Sequence, residues 1–314
     1  MIRLLTRRVS VAIPLILFVT FVVFVLIDRA PGDPAITLAG ENPAPERVVA
    51  IREALRLDDP VPVRWAAWLG DVVLHGDLGI SLQTRQEVSD LVGSRLTVTV
   101  SLVGLSIVMA SAFAVVLGVA GALRPRGFVD RAVTALASVG LAVPPFWLGI
   151  FLVSTFAVGR NWFPAIGYAS LSEGFWPWLQ HLLLPALSLS MFLAAEFTLQ
   201  LKGALIEALG KDYVLAADAK GLPRAKVIGK HALKNALVPV ATVAGLRIAG
   251  LIGGTATIES VFNLQGIGAL AVGSTINRDV SVMLGVLLVS CVMVQIVNLL
   301  VDVSYGYLNP RVRT

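Results

Sequence analysis

Few residues in this 314-residue chain are of types that do chemistry, and their spacing excludes most reactions. A loop that cradles nucleotide phosphates needs Gly-x-x-x-x-Gly-Lys followed by Ser or Thr. The Gly-Lys pairs here are Gly210-Lys211, followed by Asp212, and Gly229-Lys230, followed by His231. Neither fits, so the chain is not expected to bind or hydrolyse ATP. The three histidines, His75, His181 and His231, are widely separated, and the one cysteine, Cys291, lies in an apolar run. They offer no metal-ligand spacing and no intrachain disulfide. What remains is charge inside, or at the end of, long apolar runs: Glu196, Arg247, Glu259 and Asp302. A charge at the middle of a membrane helix costs at least about 2.5–3.5 kcal/mol on insertion scales. Arg247 must therefore face a polar cavity or a partner, and Arg247, Glu196 and Glu259 are the candidates for lining a solute path. An internal ion pair is the competing account of Arg247 and Glu196, although their expected positions differ in depth. Anchoring at the membrane interface is the simpler account of Glu259 and Asp302.

These residues are carried by membrane helices. Hydrophobic residues make up 56% of the chain and charged ones 14%, with mean hydropathy +0.83, against roughly 25% charged in an average soluble domain. The missing charge is missing in blocks, and a block of about 20 apolar residues crosses the ~30 Å hydrocarbon core. Six blocks predict six spans: Val9–Ile27, Leu96–Leu123, Ala132–Gly159, Trp178–Leu201, Ala236–Ile258 and Val280–Val301. The first exceeds the about 7–15 apolar residues of a signal peptide and runs straight into Asp28-Arg29, so it is expected to be retained. Pro144-Pro145 falls within the third, where a lost donor and a steric clash predict a kink, serving packing or gating.

The formal charge of +5 reflects topology rather than a nucleic-acid partner, because the basic residues cluster between the apolar blocks. With the N-terminus inside, fifteen Lys and Arg lie in inner segments and nine in outer ones, with Arg247 within a span. Seven of the outer nine share one long loop with eleven acidic residues, and long loops count less. Both termini are expected in the cytoplasm.

Two loops are too large to be connectors. The outer one, Asp28–Arg95, contains Glu46–Leu57, with Val48, Ile51 and Leu55 at helical spacing, and an apolar stripe of Trp65, Trp68, Leu69, Val72 and Val73. That stripe suits a helix lying in the membrane interface or a platform for an extracellular partner. The inner one, Lys202–Asn235, reads as helix, break, helix. Asp212–Lys220 favours helix, Gly221 fits the position just past its end, and Pro223 suits the first turn of the next. Ala216 and Ala217 would give this helix a face of little bulk, able to sit in another protein's groove; a solvated amphipathic loop is the plainer account.

The stretch Asp212-Tyr213 through Ala217-Asp218-Ala219-Lys220-Gly221-Leu222 to His231-Ala232-Leu233-Lys234-Asn235-Ala236 resembles the cytoplasmic coupling segment of bacterial ABC-importer permeases. More narrowly, the chain resembles the dipeptide/oligopeptide (and nickel) permease family, and its first-permease, B-type subunit. Pro31-Gly32-Asp33-Pro34, Gly76-Asp77-Leu78-Gly79-Ile80-Ser81, Glu259-Ser260-Val261-Phe262-Asn263 with Gly266-Ile267-Gly268, Arg278-Asp279 and Asn309-Pro310-Arg311 agree in order and topological place. Departures are Leu215 where the motif carries Glu, Leu264-Gln265 in place of Ile-Pro, and Arg247 where an uncharged polar residue is expected.

The resemblance implies an all-α integral membrane protein with the six-helix ABC-importer permease fold. Its segments would be a cytoplasmic N-terminus and first helix (1–27), a structured extracytoplasmic loop (28–95), a five-helix core (96–303) containing coupling loop 202–235, and a cytoplasmic tail (304–314). It further implies a multi-pass subunit of the bacterial cytoplasmic membrane that pairs with a second homologous permease. Two cytoplasmic ATPase subunits holding ATP and Mg, and an extracytoplasmic solute-binding protein, would complete the complex. Asp212, Tyr213, Ala216, Ala217, Lys220, Gly221, His231 and Asn235 would form the ATPase-coupling loop. Peptides are the implied cargo, with nickel chelates or glutathione as alternatives. An ion-coupled secondary transporter is the rival class, but no internal repeat and no mid-span carboxylate support it.

Overall fold

In the computed structural model, residues 2–29, 35–36, 44–54 and 56–308 are described. The fragments Pro31–Pro34 and Asn309–Arg311, and Leu55, lie outside them, as do the side chains of Ile51 and Asp302. Regular structure among the described residues is helical, save an isolated bridge between Ile80 and Glu87. In chain order, α1 is Ile2–Asp28, α2 Pro45–Ala54, α3 Val61–His75 and α4 Val88–Leu123. Then come α5, Phe128–Ala142, and α6, Pro145–Leu152, which continues as a π-helical turn Val153–Val158. After α7, Phe175–Leu209, comes the short α8, Asp212–Ala219. A turn Arg224–Lys226 and a π-helical segment Val227–Ala232 then lead into α9, Leu233–Gly254. The chain closes with α10, Ala256–Val261, α11, Ile267–Ile276, and α12, Val280–Leu308.

Among the described residues, four stretches are long and apolar enough to cross a membrane: Ser10–Asp28 of α1, α4, α7, and Val280–Leu300 of α12. A fifth is the pair Phe128–Ala142 and Pro145–Val158, bent by 95°. The double proline thus breaks the expected third span outright rather than kinking it. Val143 and Pro144 each precede a proline, and both are extended, at ψ 120 and 134; the following ring disfavours the helical region for them. The remaining expected span, Ala236–Ile258, falls on α9 and α10. At 22 residues α9 is long enough to cross, and it carries Lys234 and Arg247.

The chain divides into two compact units. One comprises Val98–Gln265 with Met1–Ile2 and Val294–Thr314; the other comprises Arg3–Thr97 with Gly266–Met293. In the first, α7 is the central helix. Leu193, Phe197, Leu201 and Leu205 pack with Ala110 and Ala114 of α4, and with Val214, Ala217, Val227, Ala232 and Ala236 of the inner segment. Small residues allow close approach: a Cβ on Gly140 of α5 would lie 3.0 Å from the Ala195 side chain of α7. A second cluster joins Val98 and Leu102 of α4 with Leu182, Leu184 and Leu189 of α7 and with Ile258, Phe262 and Leu264.

The other unit has its own core of Val88, Val92, Ile267, Val282 and Val286. Gly285 of α12 lies so close to α4 that a Cβ there would stand 2.5 Å from a methyl of Val88. In this unit the expected tryptophan stripe is α3. Pro62 suits its first turn, and Gly76, at φ +68, ends it.

Candidate functional site

The inner segment begins where α7 ends. At this end Lys202 Nζ donates to Asp130 Oδ1 and Thr134 Oγ1 of α5, both at 2.6 Å. No motif or periodicity in the sequence marks this knot, which joins residues 72 and 68 positions apart. Beyond Gly210, α8 runs for eight residues and stops in a Schellman arrangement. Gly221 N–H donates to the Asp218 carbonyl and Leu222 N–H to the Ala217 carbonyl, with Gly221 at φ +72. The expected Gly221 break is thus observed, and its conformation explains the glycine.

The orientation of α8 corrects the expectation for Ala217. Val214 and Ala217, three apart on one helix face, are both buried in the chain's own core. Ala217 is therefore not on the free face. The opposite face presents Asp212, Leu215, Ala216 and Ala219, all exposed. Tyr213 and Lys220 are also exposed, while His231 is half-buried in the π-helical segment. Asn235 Nδ2 donates to the Tyr213 hydroxyl at 3.1 Å and to the His231 carbonyl at 3.1 Å. The first turn of α8 is thereby tied to the first turn of α9.

Deeper in the same unit, Arg247 and Glu196 meet. Arg247 Nε and Nη2 donate to Glu196 Oε2 and Oε1, both at 2.6 Å, and the guanidinium lies 5.8 Å from the centre of the Phe192 ring. The expected depth difference is absent: the 2.6 Å contact sets the two groups at one level. The helix carrying Glu196 itself runs eight residues past Leu201, to Leu209. The arginine side chain remains 48% exposed and the glutamate 22%, so the pair is not sealed by its own chain.

Glu259 is not an interface anchor. It is fully buried on α10, and its Oε1 accepts from the equally buried Thr99 of α4 at 2.8 Å. Its neighbours Ile258 and Phe262 fill the surrounding core, so the carboxylate is drawn inward with them. Among the described residues, no group of His, Cys, Asp and Glu could hold a metal ion.

Residues 114–314 match the family described as binding-protein-dependent transport system inner membrane component, and residues 1–103 match that family's N-terminal domain. The chain belongs to this permease family. The permease is 39% identical over 307 residues to the probable peptide ABC transporter permease protein y4tP of Sinorhizobium fredii, covering 98% of each chain. It is 35% identical over 309 residues to the oligopeptide transport system permease protein AppB of Bacillus subtilis, again covering 98% of each. Among solved structures it resembles a chain of the MetNI methionine ABC transporter in an inward-facing conformation, with TM-score 0.56 and 18% identity over 70% of this chain and 97% of that one. At that identity the likeness bears on the fold alone. The permease is a non-catalytic, multi-pass transport component of the inner membrane.

The permease also joins two family fragments that lie far apart in sequence. Ser81, from the outer Gly76–Ser81 stretch, donates to Asp279 Oδ2 at 2.6 Å across 198 residues. Asp279 also accepts from the amides of Gln83 and Val282, so one buried carboxylate caps α12 and holds the outer loop. Both motifs were visible in the sequence, but no periodicity indicates that one is the other's partner.

Proposed function

We propose that this chain is the membrane-spanning permease subunit of an ATP-binding-cassette importer of peptides, driven by ATP hydrolysis in separate subunits. The observation that carries this reading is the inner segment. A short helix is locked inward by Val214 and Ala217, tied to α9 by Tyr213–Asn235, and turned by Gly221. Its outer face of Asp212, Leu215, Ala216 and Ala219 is left free. A helix so mounted can receive a push from a partner and pass it to α7 and α9 without unfolding. The partners are two ATPase subunits below, a second homologous permease beside, and an extracytoplasmic solute-binding protein above. The peptide cargo rests on the names of the relatives. Arg247 and Glu196, at mid-depth and open on one side, are proposed to line the path. Glu259, fully buried against Thr99, does not line it.

The importer reading is tested by reconstitution. Purified alone, the chain should show no ATP hydrolysis above background. With its ATPases and binding protein in proteoliposomes, it should take up peptide only when ATP is supplied. Hydrolysis that copurifies with the lone chain to homogeneity, or peptide uptake without nucleotide, would overturn it. Orientation follows the charge count, with both termini cytoplasmic. A reporter fused near Leu69 should read outside and one near Gly210 inside; the reverse at either site would invert the topology.

A further inference from the structure

We infer that α3 is not a water-borne part of the outer loop but a wedge seated at hydrocarbon depth beside the first span, its free face against lipid acyl chains. Four contacts fix its place along α1, and all lie within one compact unit. The Trp65 indole N–H donates to Thr20 Oγ1 at 3.2 Å, and its ring stands edge-on to Phe21 at 5.4 Å. The Trp68 ring lies 5.7 Å from Phe24. Arg64 pairs with Asp28, the last residue of α1, at 2.8 Å.

Distances along a helix convert these contacts to depth. Ser10–Asp28 is long and apolar enough to be the span, so Asp28 marks its polar end. Thr20 lies eight residues inward, or about 12 Å, and Phe24 about 6 Å. Trp65 therefore sits well below the end of the span, and Trp68 closer to it. Trp65 and Arg64 behave as that depth requires, while the buried indole N–H of Trp68 has no partner among the described residues. Hydrocarbon offers no water to an indole N–H, and that of Trp65 finds a hydroxyl on the neighbouring helix. Arg64, next to the deepest tryptophan, reaches back to the carboxylate at the span's end, as long cations do near membrane surfaces. The polar residues of α3 that remain, Asp71 and His75, lie at its other end, where both are exposed. On the face turned from α1, the deep half offers Pro62, Val63 and Ala66, all exposed and apolar.

The leaflet is the extracytoplasmic one under the orientation proposed above; the depth itself needs only the span. The test uses the full-length chain in phosphatidylcholine nanodiscs, with Cys291→Ser as background. Single nitroxide labels are placed at Val63→Cys, Ala66→Cys and Leu74→Cys, and power saturation is read against oxygen and a water-soluble nickel chelate. Labels at 63 and 66 should be relaxed mainly by oxygen, with nickel access several-fold below that at 74. Equal nickel access at all three positions would place α3 in water and overturn the inference. Shielding of 63 and 66 from both agents would show a protein surface there and overturn it equally. Trp65→Phe and Thr20→Val, each added to the Val63 label, should raise nickel access there. Unchanged access in both would show that this bond does not set the depth. None of these outcomes depends on cargo or ATPase, so failure here leaves the importer reading standing.

Discussion

Ala217→Trp should leave little folded protein in the membrane, whereas Ala216→Trp should fold almost as the parent does and fail in the complex. The two alanines are neighbours in sequence but lie on different sides of α8. Ala217 packs with Val214, Val227 and Leu205 in a closed core, where overpacking typically costs about 1–3 kcal/mol for a few methylenes. An indole adds far more volume than that. Ala216 is exposed, so a large side chain there meets no part of its own chain. It does fill the face proposed to receive the ATPase, and close-packed contacts have no room for it. Thermal unfolding in detergent should fall sharply for Ala217→Trp and little for Ala216→Trp. Co-purification of the ATPases should be lost for Ala216→Trp even at full expression. Gly221→Val should fall between them, since a residue with Cβ in the left-handed region costs roughly 1–2 kcal/mol. If Ala216→Trp kept both ATPases and uptake at parental levels, the free face of α8 would not be the docking face.

The second large effect concerns the mid-span ion pair, where removing one partner should hurt more than removing both. Glu196→Ala leaves Arg247 alone at mid-depth, a cost of at least about 2.5–3.5 kcal/mol on insertion scales. Arg247→Ala should also lower thermal stability, because it strands the Glu196 carboxylate at the same place. The double variant removes the stranded charge and should recover most of the lost thermal stability. That stable double variant is the useful one for function. If the pair lines the path, competition uptake with acidic, neutral and basic peptides should show a changed order of preference. An unchanged order in a stable, transporting double variant would confine Arg247 and Glu196 to a structural role.

Much of the fold was legible because hydrocarbon imposes a simple rule: uncharged blocks of sufficient length become helices. That rule located α1, α4, α7 and α12 but not their ends, since helices continue into water. Val88 and Leu209 lie well beyond the apolar limits, and that Glu196 and Arg247 stand level is seen only from their contact. The rule also cannot distinguish a kink from a break, and two successive residues before proline produced the break. The Gly221 turn was legible because a positive φ selects one residue type. The face of α8 was not, because small size was read as a docking surface when the i, i+3 relation to Val214 decided it. Glu259 was misplaced for a related reason: a carboxylate at a span's end looks anchored in water until Thr99, 160 residues away, is seen to donate to it. Pairings such as Ser81 with Asp279 are set by tertiary contact and leave no local trace.

The unbroken length of α7 has a mechanical consequence. Thirty-five residues of helix make a rod of about 52 Å, held near one end by Lys202 on Asp130 and joined there to α8. Pro185 lies inside it and weakens the hydrogen-bond ladder there, so the stiff part is the 24 residues that follow, about 36 Å. A tilt of about 5° around the midpoint of that part carries its two ends roughly 1.6 Å in opposite directions. Under the orientation proposed above, narrowing at the cytoplasmic end and widening at the far end would then be a single movement, with no separate signal required to open the far side.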